Sequence, residues 1–345
     1  MLFLRHSTRR RAFFMMSALV LSNIVAWGWA FYTFHDNVSL IGTALLAWTY
    51  GLRHAVDADH IAAIDNVTRK LMQQKQKPLA VGAFFSLGHS TIVVLASLAI
   101  ALAVSHLSTQ SGWWQNVGGI ISTSISALFL LALGLVNLYI LNEVWQRFNA
   151  LKRGEPQHER TDHVISGGLM SRLYGRLFVL INHSWQMYFV GFLFGLGFDT
   201  ATEVGLLGIS AAGSSNGMSA WSIMVFPALF AVAMALVDSL DNLLMVKAYG
   251  WAFEKPMRKL YYNITITATS VIVAFFIGGF EALGLIGGQL HLTGEFWHGV
   301  AEISDNLGNA GFIVIGIMSV CWLFSLVNYR LRGYDKMELA SQPKP

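Results

Sequence analysis

The residues best suited to chemistry are crowded into one short segment of an apolar stretch. Arg53, His54, Asp57, Asp59 and His60 fall within eight consecutive positions. Charged side chains inside a bilayer cost about 3 kcal/mol each on insertion scales, so chains keep them where they face an interior and bind something. Imidazole together with carboxylate suits a first-row divalent cation better than an alkali ion. The segment therefore indicates the handling of a transition metal within a membrane.

Helical geometry divides these residues into two groups. On an ideal helix, His54, Asp57 and His60 lie within an arc of about 120°, and Asp59 falls on the far side. Either the helix is distorted there, or Asp59 supports a ligand or pairs with Arg53. The purely structural alternative is an Arg–Asp pair and hydrogen-bonded histidines that only join helices. It is the weaker interpretation, because Ser or Thr joins membrane helices at lower cost.

Three later apolar stretches also carry polar side chains. His89 lies within Ser-Leu-Gly-His-Ser-Thr, and taken alone it is a hydrogen-bonding residue of helix packing; the first cluster makes it a candidate ligand. Asp199 and Glu203 are four residues apart and share a helix face, as do Asp238 and Asp241, three residues apart. Both pairs are predicted to face inward, although the second pair could instead lie at the membrane surface.

Acids outnumber bases among these intramembrane residues. Arg53 is the single base. Such an excess requires a cation, protons or deep hydration. The acids are Asp57, Asp59, Asp199, Glu203, Asp238 and Asp241.

The elements that must position these residues are membrane spans. The chain of 345 residues is 54% hydrophobic and only 12% charged, with a mean hydropathy of +0.52, whereas soluble domains have roughly 25% charged residues. An arginine-rich N-terminus precedes the first apolar run, which is too long for a signal-peptide core and is interpreted as a retained span. The apolar runs predict spans near 13–34, 38–65, 78–104, 117–143, 183–211, 220–247, 260–287 and 308–331.

The positions of the basic residues predict how the spans are oriented. Every Lys and Arg except Arg53 lies in a tail or in a loop after an even-numbered span, and the loops 105–116, 212–219 and 288–307 have none. The positive-inside rule then makes both termini cytoplasmic. The predicted fold is an all-α integral membrane protein, a single polytopic domain over 1–345 with eight transmembrane helices and a cytoplasmic linker at about 144–180.

Several function classes are excluded by composition. The net charge of +4 does not indicate nucleic acid binding, because the basic residues lie between apolar runs. Cys321 is the only cysteine, which excludes an intrachain disulfide and a thiolate metal cluster. No Walker motif is present, so neither an ATP-driven pump nor an ATPase subunit is supported.

Four motifs resemble those of the nickel/cobalt transporter (NiCoT) family of secondary permeases. Arg53–Ile61 is similar to the family's second-helix signature, and His54, Asp59 and His60 match its His-x4-Asp-His pattern. The motifs of the third, fifth and sixth helices correspond to Leu87–Thr91, Leu196–Glu203 and Met234–Asp241. In the sixth-helix motif Ala233 and Ser239 replace a Gly and a Thr, which leaves only the fine geometry in doubt.

The resemblance covers nearly the whole chain. It implies eight spans and high-affinity uptake of Ni²⁺ or Co²⁺ across the bacterial inner membrane, with the bilayer and the ion as partners. The ion is the transported substrate, and neither a cofactor nor an enzymatic activity is expected. By the same resemblance, His54, Asp59 and His60 are the residues most tied to metal recognition. With Asp57 and His89 they make up the predicted ligand set. Arg53, Val56, Asp199, Glu203, Asp238 and Asp241 are predicted to line the pathway.

Two alternatives remain at this stage. One is a carrier for another divalent ion, such as Zn²⁺ or Mn²⁺. The other is an intramembrane metalloenzyme, but that would require His-Glu-x-x-His, and here the histidines are six apart with no nearby Glu.

Val56 favours nickel over cobalt, because relatives with a broader metal range often carry a bulkier aromatic residue at this position.

Overall fold

The computed structural model describes residues 6–74, 76–102, 111–152, 181–196, 200–252 and 256–331, and within them every regular element is a helix. A short 3-10 turn, Ser184–Gln186, precedes the sixth α-helix. The α-helices are α1 (His6–Phe34), α2 (Val38–His54), α3 (Ala58–Gln73), α4 (Val81–Leu102), α5 (Ser111–Lys152), α6 (Met187–Phe194), α7 (Ala201–Ser215), α8 (Ala220–Ile223), α9 (Val225–Ala252), α10 (Pro256–Gln289), α11 (Glu295–Asp305) and α12 (Leu307–Leu331).

The second predicted span is not one helix. The helix expected over 38–65 ends at His54 and restarts at Ala58. Of the two explanations offered for the position of Asp59, the structure therefore has the distorted helix. Asp57 is the N-cap of α3: its backbone is extended, and its Oδ1 accepts a hydrogen bond from the backbone N–H of Ala58 at 2.8 Å. The ideal-helix arc therefore does not apply across this segment.

The fifth predicted span, 183–211, is divided in the same way. α6 ends at Phe194 and α7 begins at Ala201. Thr200 is the N-cap of α7, where its side-chain oxygen accepts from the backbone N–H of Glu203. Asp199 lies outside the described residues. Two of the motif-bearing spans are thus pairs of shorter helices that meet inside the protein.

Helix α9 lies at the centre of the fold, in contact with α1, α2, α3 and α4. Two glycines allow the helices around it to pack closely. A Cβ at Gly82 of α4 would overlap the backbone carbonyl of Asp238 in α9, and one at Gly88 would overlap that of Tyr188 in α6. The close approach at Gly88 sets the position of the neighbouring His89.

Within the part of the chain that the structure describes, five helical segments are long and apolar enough to cross a membrane: 8–34, 81–102, 123–146, 220–250 and 267–289. The segments of the two broken spans are each shorter than the roughly 20 residues that a single crossing needs. A count of eight spans, and the side on which the termini lie, stay predictions. Of the predicted linker, residues 144–152 belong to α5, and 153–180 are outside the described residues.

Candidate metal site

Three buried histidines converge at the centre of the helices. His54, His60 and His89 each offer a ring nitrogen, and these nitrogens lie within 4.8 Å of one another. The three side chains, called the histidine site below, are 1–3% exposed. Nε2 of His54 lies 2.9 Å from Nε2 of His89. Three convergent imidazoles out of contact with solvent form a group able to hold one metal ion.

The break in the second span brings two of these rings together. His54 is the last residue of α2 and His60 lies in the first turn of α3, and their ring centroids are 4.6 Å apart. His89 reaches the same point from the middle of α4, at 4.7 Å from the ring of His54. Phe85 and Phe230 pack against the histidine rings, so the site has an apolar wall. A continuous helix would have separated His54 and His60 by more than one turn.

Two buried acids border the histidine site on different sides. Oε1 of Glu203 lies 2.9 Å from Nε2 of His89. Oδ2 of Asp238 lies 3.6 Å from Nδ1 of His60 and accepts a hydrogen bond from Ser86 Oγ at 2.5 Å. Both carboxylates are 1% exposed. They supply negative charge that can balance a divalent cation among neutral imidazoles.

Threonine hydroxyls orient the ring of His54. Oγ1 of Thr200 and Oγ1 of Thr202 each lie 3.3 Å from its Nδ1. Thr200 also donates to Oε2 of Glu203 at 2.8 Å. Hydrogen bonds to the second nitrogen of a histidine fix the direction of the first, an arrangement common around metal ligands. The two broken spans therefore contribute to one site, since α2 supplies the imidazole and the start of α7 orients it.

Asp57 and Asp59 do not belong to the group of convergent ligand atoms among the described residues. Oδ1 of Asp57 accepts from Ala58, and Oδ1 of Asp59 accepts from the backbone N–H of His60 at 2.8 Å. Both side chains instead line a cavity that reaches His54. They stabilise the start of α3 and add negative charge next to the histidine site.

That cavity, the vestibule below, has a volume of about 640 Å³ and a wall of mixed polar and apolar surface. Its floor includes His54, one of the three histidines. The Ser126 hydroxyl lies 2.9 and 3.2 Å from the two carboxylate oxygens of Glu281, which share its single hydrogen. The polar and charged residues of the wall are Arg53, His54, Asp57, Asp59, Thr123, Thr200, Thr202, Glu281, Ser304 and Asp305. The vestibule thus reaches one of the three buried imidazoles, that of His54.

The other predicted pathway residues that the structure describes lie outside the histidine site. Arg53 is in the wall of the vestibule. Val56 lies in the α2–α3 break and packs against a hydrophobic cluster built by residues of α3, α5, α10 and α12. Asp241 is one helical turn beyond Asp238 on α9, away from the histidines. Asp199 is the one predicted site residue that falls outside the described residues.

Sequence inspection missed several of these side chains. Ser86 lies three residues before His89, so helical spacing alone places both on one face. Thr200 and Glu203 form a Thr-x-x-Glu pattern, which is the signature of a helix N-terminus and could have revealed the break in the fifth span. No local pattern identifies Glu281, because only the packing of α5 against α10 brings it to Ser126.

The separations of the nitrogens fit a single first-row metal ion. Two imidazole nitrogens about 2.0–2.1 Å from one ion, at a right angle to each other, lie about 2.9 Å apart. His54 and His89 already have that separation. The ring nitrogen that His60 offers lies within 4.8 Å of the other two. Imidazole nitrogens suit nickel, copper, iron and zinc, whereas magnesium and calcium prefer oxygen.

Comparison with known proteins identifies relatives over almost the whole length. Residues 40–328 match the family described as high-affinity nickel-transport protein. The high-affinity nickel transport protein of Cupriavidus necator is 50% identical over 333 residues, which are 96% of this chain and 95% of that protein. No solved structure matches the chain.

More distant relatives differ in the metal that they are named for. The high-affinity nickel-transport protein NixA of Helicobacter pylori is 39% identical over 318 residues, 91% of this chain and 95% of that protein. The cobalt transport protein NhlF of Rhodococcus rhodochrous is 33% identical over 333 residues, 94% of each chain.

Proposed function

The chain belongs to the family of high-affinity nickel-transport proteins, and we propose that it carries Ni²⁺, and Co²⁺ less readily, across the bacterial inner membrane into the cell. Histidine and carboxylate side chains hold the ion within the helices. The ion is the substrate, and no enzymatic step is part of the function. The observation that carries the proposal is the convergence of three buried imidazoles at two interrupted spans.

Interrupted helices suit a transport site. In membrane proteins, irregular backbone is tolerated where it lines a cavity, and discontinuous helices form the ion sites of many secondary transporters. Here the break between α2 and α3 contains Asp57 and borders both the vestibule and the histidine site. Such a segment can shift between two arrangements without unwinding a long helix. We propose that this shift exposes the ion first to one side and then to the other.

We propose that the vestibule is the entrance. Ser304 and Asp305 of its wall belong to the segment 288–307, which has no Lys or Arg and is therefore predicted to face outward. Carboxylates at the mouth of a cavity with apolar surroundings raise the local concentration of cations. A divalent ion would pass Asp57 and Asp59, exchange its water for the imidazoles of His54 and His89, and leave past His60 and Asp238.

The membrane potential alone supplies a driving force for entry. A charge moving through the full potential gains about 2.3 kcal/mol per 100 mV, and Ni²⁺ carries two charges. The excess of acids in the pathway keeps the ion from meeting a net positive barrier. Accumulation of Ni²⁺ against a concentration gradient therefore needs no second substrate in this proposal.

Uptake of radiolabelled nickel tests the function directly. Cells that express the chain are expected to accumulate trace ⁶³Ni²⁺ far above cells with an empty vector. Unlabelled Co²⁺ should compete, and a large excess of Zn²⁺, Mn²⁺ or Mg²⁺ should compete much less. Background uptake by cells whose membranes contain the intact protein would refute nickel transport. Stronger competition by Zn²⁺ or Mn²⁺ than by unlabelled Ni²⁺ would favour a carrier for that ion instead.

A further inference from the structure

The hydroxyl of Ser86 on α4 lies against the carboxylate of Asp238 on α9. Both residues are buried, with 0% and 1% of their surfaces exposed, and Oγ of Ser86 is 2.5 Å from Oδ2 of Asp238. Gly82, one turn before Ser86, lets the two helices approach, because a Cβ there would overlap the backbone carbonyl of Asp238. The two side chains therefore meet at a point of close contact between α4 and α9.

The Ser86 hydroxyl has a single hydrogen and two acceptors within reach. Its Oγ also lies 2.9 Å from the carbonyl oxygen of Gly82. The contact with Asp238 is the shorter of the two, and its length is typical of a hydroxyl bonded to a carboxylate. These features place the hydrogen between Ser86 and Asp238.

Asp238 has no second hydrogen bond among the described residues. Its Oδ1 has no partner, and its Oδ2 lies 3.6 Å from Nδ1 of His60, beyond hydrogen-bond distance. Nδ1 of His60 likewise has no hydrogen-bond partner in the described part of the chain. The direction of the Asp238 carboxylate, and its position beside His60, therefore depend on Ser86.

We propose that Ser86 is a positioning residue for nickel binding: its hydroxyl holds the carboxylate of Asp238 beside His60 and so fixes the direction of that imidazole. A carboxylate on one ring nitrogen of a histidine orients the ring and leaves the other nitrogen for a metal. With Asp238 beside Nδ1, the nitrogen left for the ion is Nε2 of His60. This proposal rests on the proposed function, and it adds to the transport site a residue that acts without touching the ion.

The same order of groups occurs at a second imidazole of the histidine site. Oγ1 of Thr200 donates to Oε2 of Glu203 at 2.8 Å, and Oε1 of Glu203 lies 2.9 Å from Nε2 of His89. Hydroxyl, carboxylate and imidazole follow one another here as they do from Ser86 to His60. Two of the three imidazoles are thus bordered by a carboxylate that is itself hydrogen-bonded to a hydroxyl.

Nickel binding to the purified full-length chain, measured by equilibrium dialysis against ⁶³Ni²⁺, tests the role of the hydroxyl. Ser86→Ala removes it and should raise the dissociation constant about tenfold, as expected for the loss of a hydrogen bond to a charged group. Ser86→Thr and Ser86→Val add similar bulk and differ in the hydroxyl. The threonine variant should therefore stay within about twofold of the unaltered chain, whereas the valine variant should lose as much affinity as Ser86→Ala.

A matched control is available on the same helix. Ser97 of α4 is 0% exposed, and its Oγ has no hydrogen-bond partner among the described residues. Ser97→Ala therefore removes a buried hydroxyl that holds no carboxylate, and it should bind nickel as the unaltered chain does. Thermal unfolding of each variant shows whether the protein in the dialysis cell is folded.

Removing Asp238 shows whether Ser86 acts through it. In the Asp238→Ala background the three imidazoles remain, so nickel binding stays measurable. Ser86→Ala should then change the dissociation constant by less than about twofold, because the effects of two residues in contact do not add. A serine that only supported the packing of α4 against α9 would cost the same factor in both backgrounds.

The outcomes separate the role of Ser86 from the proposed function. Unchanged affinity in Ser86→Ala and Ser86→Val would overturn that role, and so would an equal loss in the two Asp238 backgrounds. Tight binding by the unaltered chain in either case would leave the histidine site intact. An unaltered chain that binds no nickel would overturn the proposed function together with the role of Ser86.

Discussion

The histidine site and the polar side chains of Asp238, Asp241 and Asn242 on α9 are neighbours, since Asp238 Oδ2 lies 3.6 Å from His60, yet the backbone builds the two regions differently. His54 and His60 meet because the chain is interrupted between α2 and α3. Asp238, Asp241 and Asn242 stand on an uninterrupted stretch of α9. An interruption lets two helix ends aim side chains at one point, whereas a regular helix presents them as a row. The convergent group of ligands therefore depends on the break, whereas the acids of α9 follow one another along the helix.

The largest effect is expected from a change in the histidine site. His60→Ala removes a nitrogen ligand and the partner of Asp238, so uptake at trace nickel should fall to background while the protein still accumulates in the membrane. ⁶³Ni²⁺ uptake together with immunoblotting of membranes measures both quantities. His298→Ala, an exposed histidine on α11, is the control and should transport normally. Near-normal uptake by His60→Ala would mean that this imidazole is not a ligand.

A smaller effect is expected where the two regions join. Asp238→Asn keeps size and hydrogen bonding but removes charge, and losing about 1.4 kcal/mol of interaction corresponds to roughly tenfold slower transport. Asp199→Asn should act in the same direction. The free energy of unfolding should stay within about 1 kcal/mol of the unaltered protein. Asp36→Asn, an exposed acid, serves as control. Failure to fold combined with normal transport per folded molecule would make these carboxylates structural.

External pH should distinguish imidazole from carboxylate ligands. Only neutral imidazole binds a metal, and the ordinary pKa of histidine is about 6.5. Protonation at lower pH therefore removes ligands, and nickel uptake should weaken several-fold below about pH 6. Initial rates from pH 5 to 8 at a constant membrane potential measure this dependence. A flat profile over that range would count against binding by histidines.

The smallest expected effect is on the choice of metal. Val56 lies in the break, two residues after His54, and packs against a hydrophobic cluster that includes Ala58 and Ile61. Val56→Phe should widen the break and raise cobalt uptake relative to nickel by a few-fold, because geometry rather than raw affinity decides selectivity. Competition with equimolar cobalt measures the ratio, and Val56→Leu is the control of intermediate size. Equal inhibition by cobalt in the unaltered protein would show that the nickel preference does not exist.

The sequence was sufficient to predict which helices carry the polar residues but not how they meet. Hydropathy identifies the apolar stretches, and charges within them must face inward, so His89, Glu203 and Asp238 could be expected near the first cluster. The break after His54 could not be predicted from hydropathy, since Ala55 and Val56 continue the apolar run. It depends on Asp57 capping α3, and a lone aspartate has no capping-box signature.

The separate positions of the acids depend on tertiary packing. Asp57 and Asp59 are as close in sequence to the histidines as any ligand, yet backbone hydrogen bonds hold them at the vestibule. Asp65 belongs to no recognised motif, and it accepts a hydrogen bond from Tyr249 only because α3 packs against α9. Spacing along one helix predicts which residues share a face of that helix. Only a contact between two helices brings such faces together into a site.

X-ray absorption at the nickel edge tests most directly whether imidazoles hold the ion. The purified chain, loaded with one Ni²⁺ per molecule, is expected to show nitrogen ligands at about 2.0–2.1 Å, as for other imidazole-bound metals, with the outer-shell scattering of three histidine rings. His89→Ala should lose one ring from that signal, and His298→Ala should leave it unchanged. A coordination shell of oxygens alone, without imidazole scattering, would contradict the histidine site.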